Sequence, residues 1–490
     1  MGQPANTTPS IASRLRFEHD RIRPPVSKGR HVTPIAPQRN DVQPEATATP
    51  DSSAVPVFGT RKRAWTMTGL VVFLYIVNYA DKAVLGIIAQ PLARELGLKS
   101  SQIGMVGSLF FLMFCIGGFL AGPLNKYLTL RWALLILAAI WSVVMLPLVL
   151  GASLAMLIVS RMLLGFAEGP SSALMHTAAY SWHPPAKRGL PGAMLAGSAS
   201  VAKIALAPVL TFIAVHYGWR AAVLSLSVLG LVWMGCWLAG WSEGPYTSKA
   251  VKATKNADTE ASEAAGTVGT ATKAVTEPNV PWRKILLSRT FVSCCFLIAT
   301  IYALTTVVLT WLPSYFEVGL GYSAMQAGSM FALPSIVGLV LMITSGSVTD
   351  KLIGRGYTSR TVRVIVPCVG VLICGSILLF LPQISTPIVA VAMVSIGYGF
   401  SAITFPLINA AISELCPPQQ TAGTMGFFLA IMSIGGLIAP YATGVIVDNA
   451  ATPADGYAQS FQAIGIIGVV AAVLVLVFAN PERDRKLIRG

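Results

Sequence analysis

Residues 66–90 read TMTGLVVFLYIVNYADKAVLGIIAQ, a run with only two charged side chains, the adjacent Asp81 and Lys82. A helix needs about 20 apolar residues to cross a hydrocarbon core, and this run supplies them. A charge near the middle of such a span costs roughly 2.5–3.5 kcal/mol on insertion scales. Two of them side by side therefore mark a segment that crosses a membrane and carries function.

The rest of the chain agrees. It has 490 residues, of which 54% are hydrophobic and 11% charged, and its mean hydropathy is +0.67. Soluble domains carry about 25% charged residues. Twelve apolar runs can be read, at 66–90, 101–123, 131–150, 153–178, 190–214, 219–241, 290–316, 323–348, 362–382, 386–411, 422–446 and 457–479. The expected architecture is an all-α integral membrane protein of twelve transmembrane helices. Residues 1–60, rich in Pro, Thr and Arg, read as a disordered tail without a cleavable signal. The polar stretch 242–289 reads as a linker between a first half, 61–241, and a second, 290–480, with 481–490 as a short tail. Of the 35 basic residues, 29 fall in the tails, the linker and the loops on their side. The opposite loops hold only Arg94, Lys99 and Arg220. By the positive-inside rule both termini are expected in the cytoplasm. The net charge of +15 then serves topology. Scattered over many loops, it does not form the patch that a nucleic acid requires.

Three bases and two acids remain inside the runs: Lys82, Arg161, Lys203, Asp81 and Glu168. Intramembrane ionisable residues usually line a pathway or a site. Arg161 and Glu168, seven apart in RMLLGFAEGP (161–170), share a helix face. Asp81 and Lys82 lie about 100° apart around a helix and cannot point the same way. The expected arrangement turns Asp81 toward Arg161 and points Lys82, beside Tyr79, into a central cavity. Lys203, in SVAKIALAP (200–208), lies too deep to reach either interface and needs an anionic partner or a wet cavity. With both acids ionised the set carries a charge of +1, which suits an anion arriving with a proton.

No nucleotide-binding G-x-x-x-x-G-K-[ST], no H-E-x-x-H and no G-x-S-x-G occurs. The five histidines are dispersed, so no metal, cofactor or enzymatic activity is expected. The seven cysteines lie in or beside the apolar runs without a C-x-x-C pair and read as packing residues.

Two further stretches carry a resemblance. GSVTDKLIGRGYTSR (346–360) is similar to the G-x-x-x-D-R loop of the major facilitator superfamily, with Asp350 and Lys351 in place. Its first-half counterpart, GPLNKYLTLR (122–131), keeps Arg131 but has Lys126 and Tyr127 where the superfamily usually has Asp–Arg. NYADKAVLG (78–86), RMLLGFAEGPSSA (161–173), HYGWRAAVL (216–224), WLPSYFEVGLGYSAMQAG (311–328) and SIGGLIAPYATG (433–444) together resemble its anion:cation symporter branch, over about residues 66–480. The resemblance implies the major facilitator fold of two six-helix halves. It implies that Lys82, where the branch usually has Arg, contacts a substrate carboxylate. Asp81, Arg161 and Glu168 then serve proton coupling, with Glu168 as the carrier. Asp350, Lys351 and Arg131 would form the gating loops.

The expected function is transport of a small organic anion, a sugar acid or an aromatic carboxylate, by proton (or sodium) symport with alternating access. The expected setting is a bacterial inner membrane, with the protein as a monomer in the lipid bilayer. The alternative is a drug or cation antiporter of the same superfamily, against which the three buried bases speak. In the second half, Tyr302, Thr305, Thr306, Tyr398, Ser401 and Thr404 are candidate partners for substrate hydroxyls. Serine and threonine in membrane helices often bond their own backbone instead. Trp65, Trp132, Trp219 and Trp311, near run ends, are expected at the membrane interface.

Overall fold

A computed structural model describes Gly2 and residues 58–184, 187–246, 280–417 and 420–489. The expectations for the first tail and for most of the linker concern residues outside these. In hydrocarbon every backbone N–H and C=O must be satisfied within the protein, so apolar runs of this length become helices. Twelve helices among the described residues are long and apolar enough to span a membrane. The first six are Arg61–Leu96, Ser100–Gly118, Leu130–Leu150, Leu154–Tyr180, Gly189–Tyr217 and Trp219–Gly240. The second six are Arg289–Gly319, Ala324–Gly354, Thr361–Gln383, Pro387–Ser413, Gly423–Asn449 and Pro453–Phe478. They are called spans one to twelve below.

All twelve expected runs are helical, and the corrections lie at their ends. Span eight continues to Gly354, so Asp350 and Lys351 stand on a helix and not in a loop. Nothing between Leu333 and Gly354 breaks the helix, and the chain turns only at Gly356, whose φ of 87° suits glycine. Within the stretch read as linker, Trp282–Leu286 is a short helix. Pro481–Arg489, read as a tail, is another.

This last helix is docked. The buried Asp484 carboxylate accepts hydrogen bonds from the Thr290 N–H (2.9 Å) and hydroxyl (2.8 Å) at the start of span seven. Burial works to raise the Asp484 carboxyl, but hydrogen bonds from Arg483 and Thr290 outweigh it and hold the group below its usual value. A depressed carboxyl stabilises the fold above its unfolded pKa, and the contribution disappears as pH falls through the folded value. Asp484→Asn should therefore cost about 1 kcal/mol, the scale of a lost helix cap, at neutral pH. The difference from the unaltered protein should begin to shrink below about pH 4 and vanish once pH has passed the depressed folded value. Thermal unfolding in detergent at the two pH values checks this.

The halves meet closely at the face away from the chain ends. There Gly86 of span one lies against the Leu309 carbonyl of span seven, and Gly104 of span two against the Pro440 carbonyl of span eleven. Gly444 of span eleven lies against the Ser100 carbonyl in the same way. These glycines let backbones touch, as small residues do at membrane helix interfaces. The Asp448 carboxylate accepts from the N–H groups of Ser100 (2.9 Å) and Ser101 (2.8 Å), capping span two. Arg94 pairs with Glu317 at 2.8 Å on the rim. Among the described residues, every hydrogen bond, ion pair and ring contact that joins the halves lies on this face or near mid-depth. The structure is a state closed on the face away from the chain ends.

Gly104→Leu should force span two off span eleven, because its side chain would meet backbone, which cannot give way. Overpacking of about 1–3 kcal/mol corresponds to a shift of roughly tenfold in the closed population. Thiol labelling of Ser101→Cys, in a background without Cys115 and Cys236, should speed up accordingly.

Two of the four tryptophans expected at the membrane interface are elsewhere. Trp311 is fully buried and donates to the Pro440 carbonyl at 3.0 Å. Trp219 is buried and donates to Glu95 at 2.7 Å. Position near a span end does not fix which way a ring turns, and here protein contacts on the closed face claim both.

Candidate functional site

Spans two and four pack backbone to backbone. Gly165 and Gly169 meet the carbonyls of Phe110 and Phe114, and Gly117 meets that of Phe166. This G-x-x-x-G spacing fixes the rotation of span four and sets its Arg161–Glu168 face toward span one. Lys82 Nζ forms an ion pair with Glu168 Oε2 at 2.8 Å, with the Glu168 side chain 0% exposed and that of Lys82 8%. The same ammonium donates to Asn78 Oδ1, one turn earlier on span one. It sits 4.9 Å from the centre of the Tyr79 ring and 5.2 Å from that of Phe114. Arg161, buried, donates from Nη1 to the main-chain carbonyl of Asp81 at 3.0 Å.

Two expectations are corrected here. Lys82 does not point unpaired into a cavity; it neutralises Glu168. Asp81 turns its carbonyl rather than its carboxylate to Arg161, and the carboxylate takes part in no ion pair among the described residues. The reason lies in span four, whose rotation brings the far end of the Arg161–Glu168 face over Lys82.

The cluster is compact in charge but sparse in directed bonds. Although Lys82 stands at ion-pair distance, neither Glu168 oxygen accepts a well-aligned hydrogen bond among the described residues. Arg161 Nε and Nη2 likewise have no acceptor. Buried polar groups are normally satisfied, and those left over in native proteins call for a ligand, water or proton.

Lys203 lies on a π-helical turn, Ala202–Leu206, of span five. Pro208 follows two residues later, and a proline lacks the N–H that would bond the carbonyl four residues back, which accounts for the widened turn. The Lys203 ammonium is buried and donates to the Tyr398 hydroxyl of span ten at 3.2 Å. Its partner is thus a phenol and not an acid. Tyr302 of span seven meets Phe111 of span two edge-on, ring centres 5.8 Å apart. Thr305, Thr306 and Ser401 bond carbonyls of their own helices, at Ile301 (3.0 Å), Ala303 (2.9 Å) and Tyr398 (2.7 Å). Thr404 is fully buried with no hydrogen-bond partner among the described residues. Of the second-half candidates, Tyr302, Tyr398 and Thr404 keep groups available for a ligand.

Of the three residues expected in gating loops, Arg131 belongs to the first half and Asp350 and Lys351 are neighbours in the second. Arg131 donates to the Leu238 carbonyl at 2.8 Å, closing the end of span six. Lys351 is exposed on span eight, and the side chain of Asp350 lies outside the described part of the structure. No group of three metal-binding side chains occurs among the described residues.

Sequence reasoning missed Asn78, although its place four residues before Lys82 put it on the same helix face. It also missed Phe114 and the 2.8 Å bond between the hydroxyls of Tyr75 and Ser172, which ties span one to span four. A recess of about 180 Å³ on the closed face, lined by Pro91, Arg94, Thr211 and Glu317 among others, contains none of the five buried charges.

Over residues 71–440 and again over 398–490 the chain matches the Major Facilitator Superfamily. It belongs to that superfamily. A hexuronate transporter of Bacillus subtilis is 25% identical over 84% of this chain and 94% of its own length. A probable sulfoacetate transporter of Cupriavidus necator is 26% identical over 84% and 93%. A probable galactarate/D-glucarate transporter of B. subtilis is 24% identical over 87% and 94%. Among solved structures, a bacterial homologue of the human lysosomal transporter Spinster, inward-facing and unoccupied, superimposes with a TM-score of 0.69 at 16% identity, covering 87% of this chain and 98% of that one. A D-xylose–proton symporter gives 0.67, also at 16% identity, covering 86% and 99%. As a member of the superfamily the chain is a multi-pass membrane transporter and not an enzyme.

Proposed function

We propose that this major facilitator protein carries a small organic anion by proton symport, exposing a mid-membrane site to the two faces in turn. The observation that carries the reading is the buried Lys82–Glu168 pair at 2.8 Å. While Glu168 is ionised, Lys82 is occupied. A proton on Glu168 removes that charge, and Lys82 becomes the cation for a substrate carboxylate. At the Lys82–Glu168 pair, proton and carboxylate then enter as a neutral addition, which suits its dry surroundings. Arg161, next to the pair, holds its position, Asp81 can share the proton, and Tyr79, Tyr302 and Thr404 face the bound anion's hydroxyls. Alternating access about a midplane site between two repeats suits this placement.

The distribution of basic residues supports cytoplasmic termini, which makes the closed face the outer one and the state inward-facing. The relatives' names, for hexuronate, sulfoacetate and galactarate or glucarate, support an organic anion as cargo. Uptake into proteoliposomes across a panel of sugar acids and aromatic carboxylates, with an imposed proton or sodium gradient, tests the proposal. Accumulation of at least one carboxylate with the proton gradient is expected. Transport of lipophilic cations with none of carboxylates would reverse the reading in favour of an antiporter.

A further inference from the structure

The buried bases differ in one respect. Lys82 has Glu168, and Arg161 stands within electrostatic reach of Asp81 and Glu168, but Lys203 has no acid partner among the described residues. Its ammonium carries three donors, and the Tyr398 hydroxyl takes one. A buried cation left with a phenol and the face of its ring, 5.2 Å from the ring centre, is costly unless an anion joins it. The positive charge on span five therefore has no acid beside it among the described residues.

Depth adds a second observation. Lys82 stands fourteen residues before the end of its helix at Leu96, and Lys203 fourteen before Tyr217. At a rise of 1.5 Å per residue both lysines sit about 21 Å along the helix axis from the ends of their helices, at a similar level of the bundle. Spans one and five pack directly, span one touching the π-helical turn itself. Each ammonium stands over a tyrosine ring of the same region, Lys82 4.9 Å from the centre of Tyr79 and Lys203 5.2 Å from that of Tyr398.

We infer that Lys203, with Tyr398, is a second anion-binding point, and that the preferred cargo is a dianion, a small diacid with one acidic group on Lys82 and the other on Lys203. This rests on the proposed anion transport and narrows it. Lys203 needs no proton elsewhere to be free, so it takes the first acidic group as the ligand arrives. Lys82 takes the second only once Glu168 is protonated. Tyr398 belongs to the other half of the protein, so an anion on Lys203 also takes up the contact that joins span five to span ten at this level.

The test uses galactarate and galactonate, which differ only in a carboxylate against a hydroxymethyl group, in competition and uptake assays on the full-length protein in proteoliposomes. The unaltered protein should prefer the diacid by about tenfold or more, the scale of one hydrogen bond to a charged group. Lys203→Gln should abolish the preference by weakening the diacid about tenfold more than the monoacid, and Lys203→Arg should keep most of it. Tyr398→Phe, which preserves the ring and the lysine, should weaken the preference several-fold and serves if the Gln variant fails to reach the membrane. Equal or better transport of the monoacid by the unaltered protein overturns the inference and leaves anion transport standing. So does a preference that survives in Lys203→Gln and Tyr398→Phe. Failure to transport any carboxylate in the wider panel overturns both.

Discussion

Glu168→Gln should abolish uphill accumulation and leave exchange intact. Glutamine keeps the volume of the side chain and imitates its protonated form, so Lys82 is released permanently and the anion site stands ready at any pH. The variant should bind substrate and support counterflow across the membrane. Its accumulation ratio under a proton gradient should match that of a control without one. Binding by the unaltered protein should weaken as rising pH strips the proton from Glu168, whereas binding by the variant should be flat over the same range. Counterflow, gradient-driven uptake and a pH series of binding constants, measured on one preparation, separate these effects. Gradient-driven uptake at the unaltered level would remove Glu168 from the coupling.

Lys82→Ala should have the largest effect on the protein itself. Among the described residues it removes the one cation in an ion pair with Glu168 and leaves a fully buried carboxylate without that partner, which costs about 3–5 kcal/mol. Most of the variant should be lost before or during insertion, or be recovered with a strongly lowered Tm. Adding Glu168→Gln should restore a folded, monodisperse protein, because the neutral amide no longer needs the ammonium. Adding Asp81→Asn should not, since the Asp81 carboxylate is not Lys82's partner. The rescued double variant should still fail to bind carboxylates. Yield and thermal stability in detergent read the first effect and ligand binding the second. Rescue by Asp81→Asn instead of Glu168→Gln would show that the pairing is wrong.

The two outcomes mark where sequence reasoning stopped. The spans were legible because length and apolarity decide them. The shared face of Arg161 and Glu168 was legible because seven residues make two helical turns. The choice of partner for Lys82 was not, because it depends on how span four is rotated about its own axis. That rotation is set by Gly165 and Gly169 against carbonyls of span two, a contact between segments far apart in the chain. Lys203 was recognisable as a buried base in need of company. Its contact with Tyr398, 195 residues away, was beyond local pattern. Asn78, by contrast, was within reach, since helical spacing alone puts its amide beside Lys82.

The glycine seam on the closed face has a consequence for insulation. A carrier that cycles a proton must not also conduct one, or the gradient drains without work. Proton leakage needs a file of water or a chain of titratable side chains, and where Gly86, Gly104 and Gly444 press against carbonyls there is room for neither. Among the acids of this face, Glu317 and Asp448 sit at its rim, engaged by Arg94 and by the start of span two, and Glu95 is engaged by Arg220 and Trp219. Main chain pressed on main chain also has no rotamers to explore, so the barrier does not flicker as one made of long side chains would. In a proton-coupled carrier such a seam acts as a dielectric plug, holding the membrane voltage across the closed face.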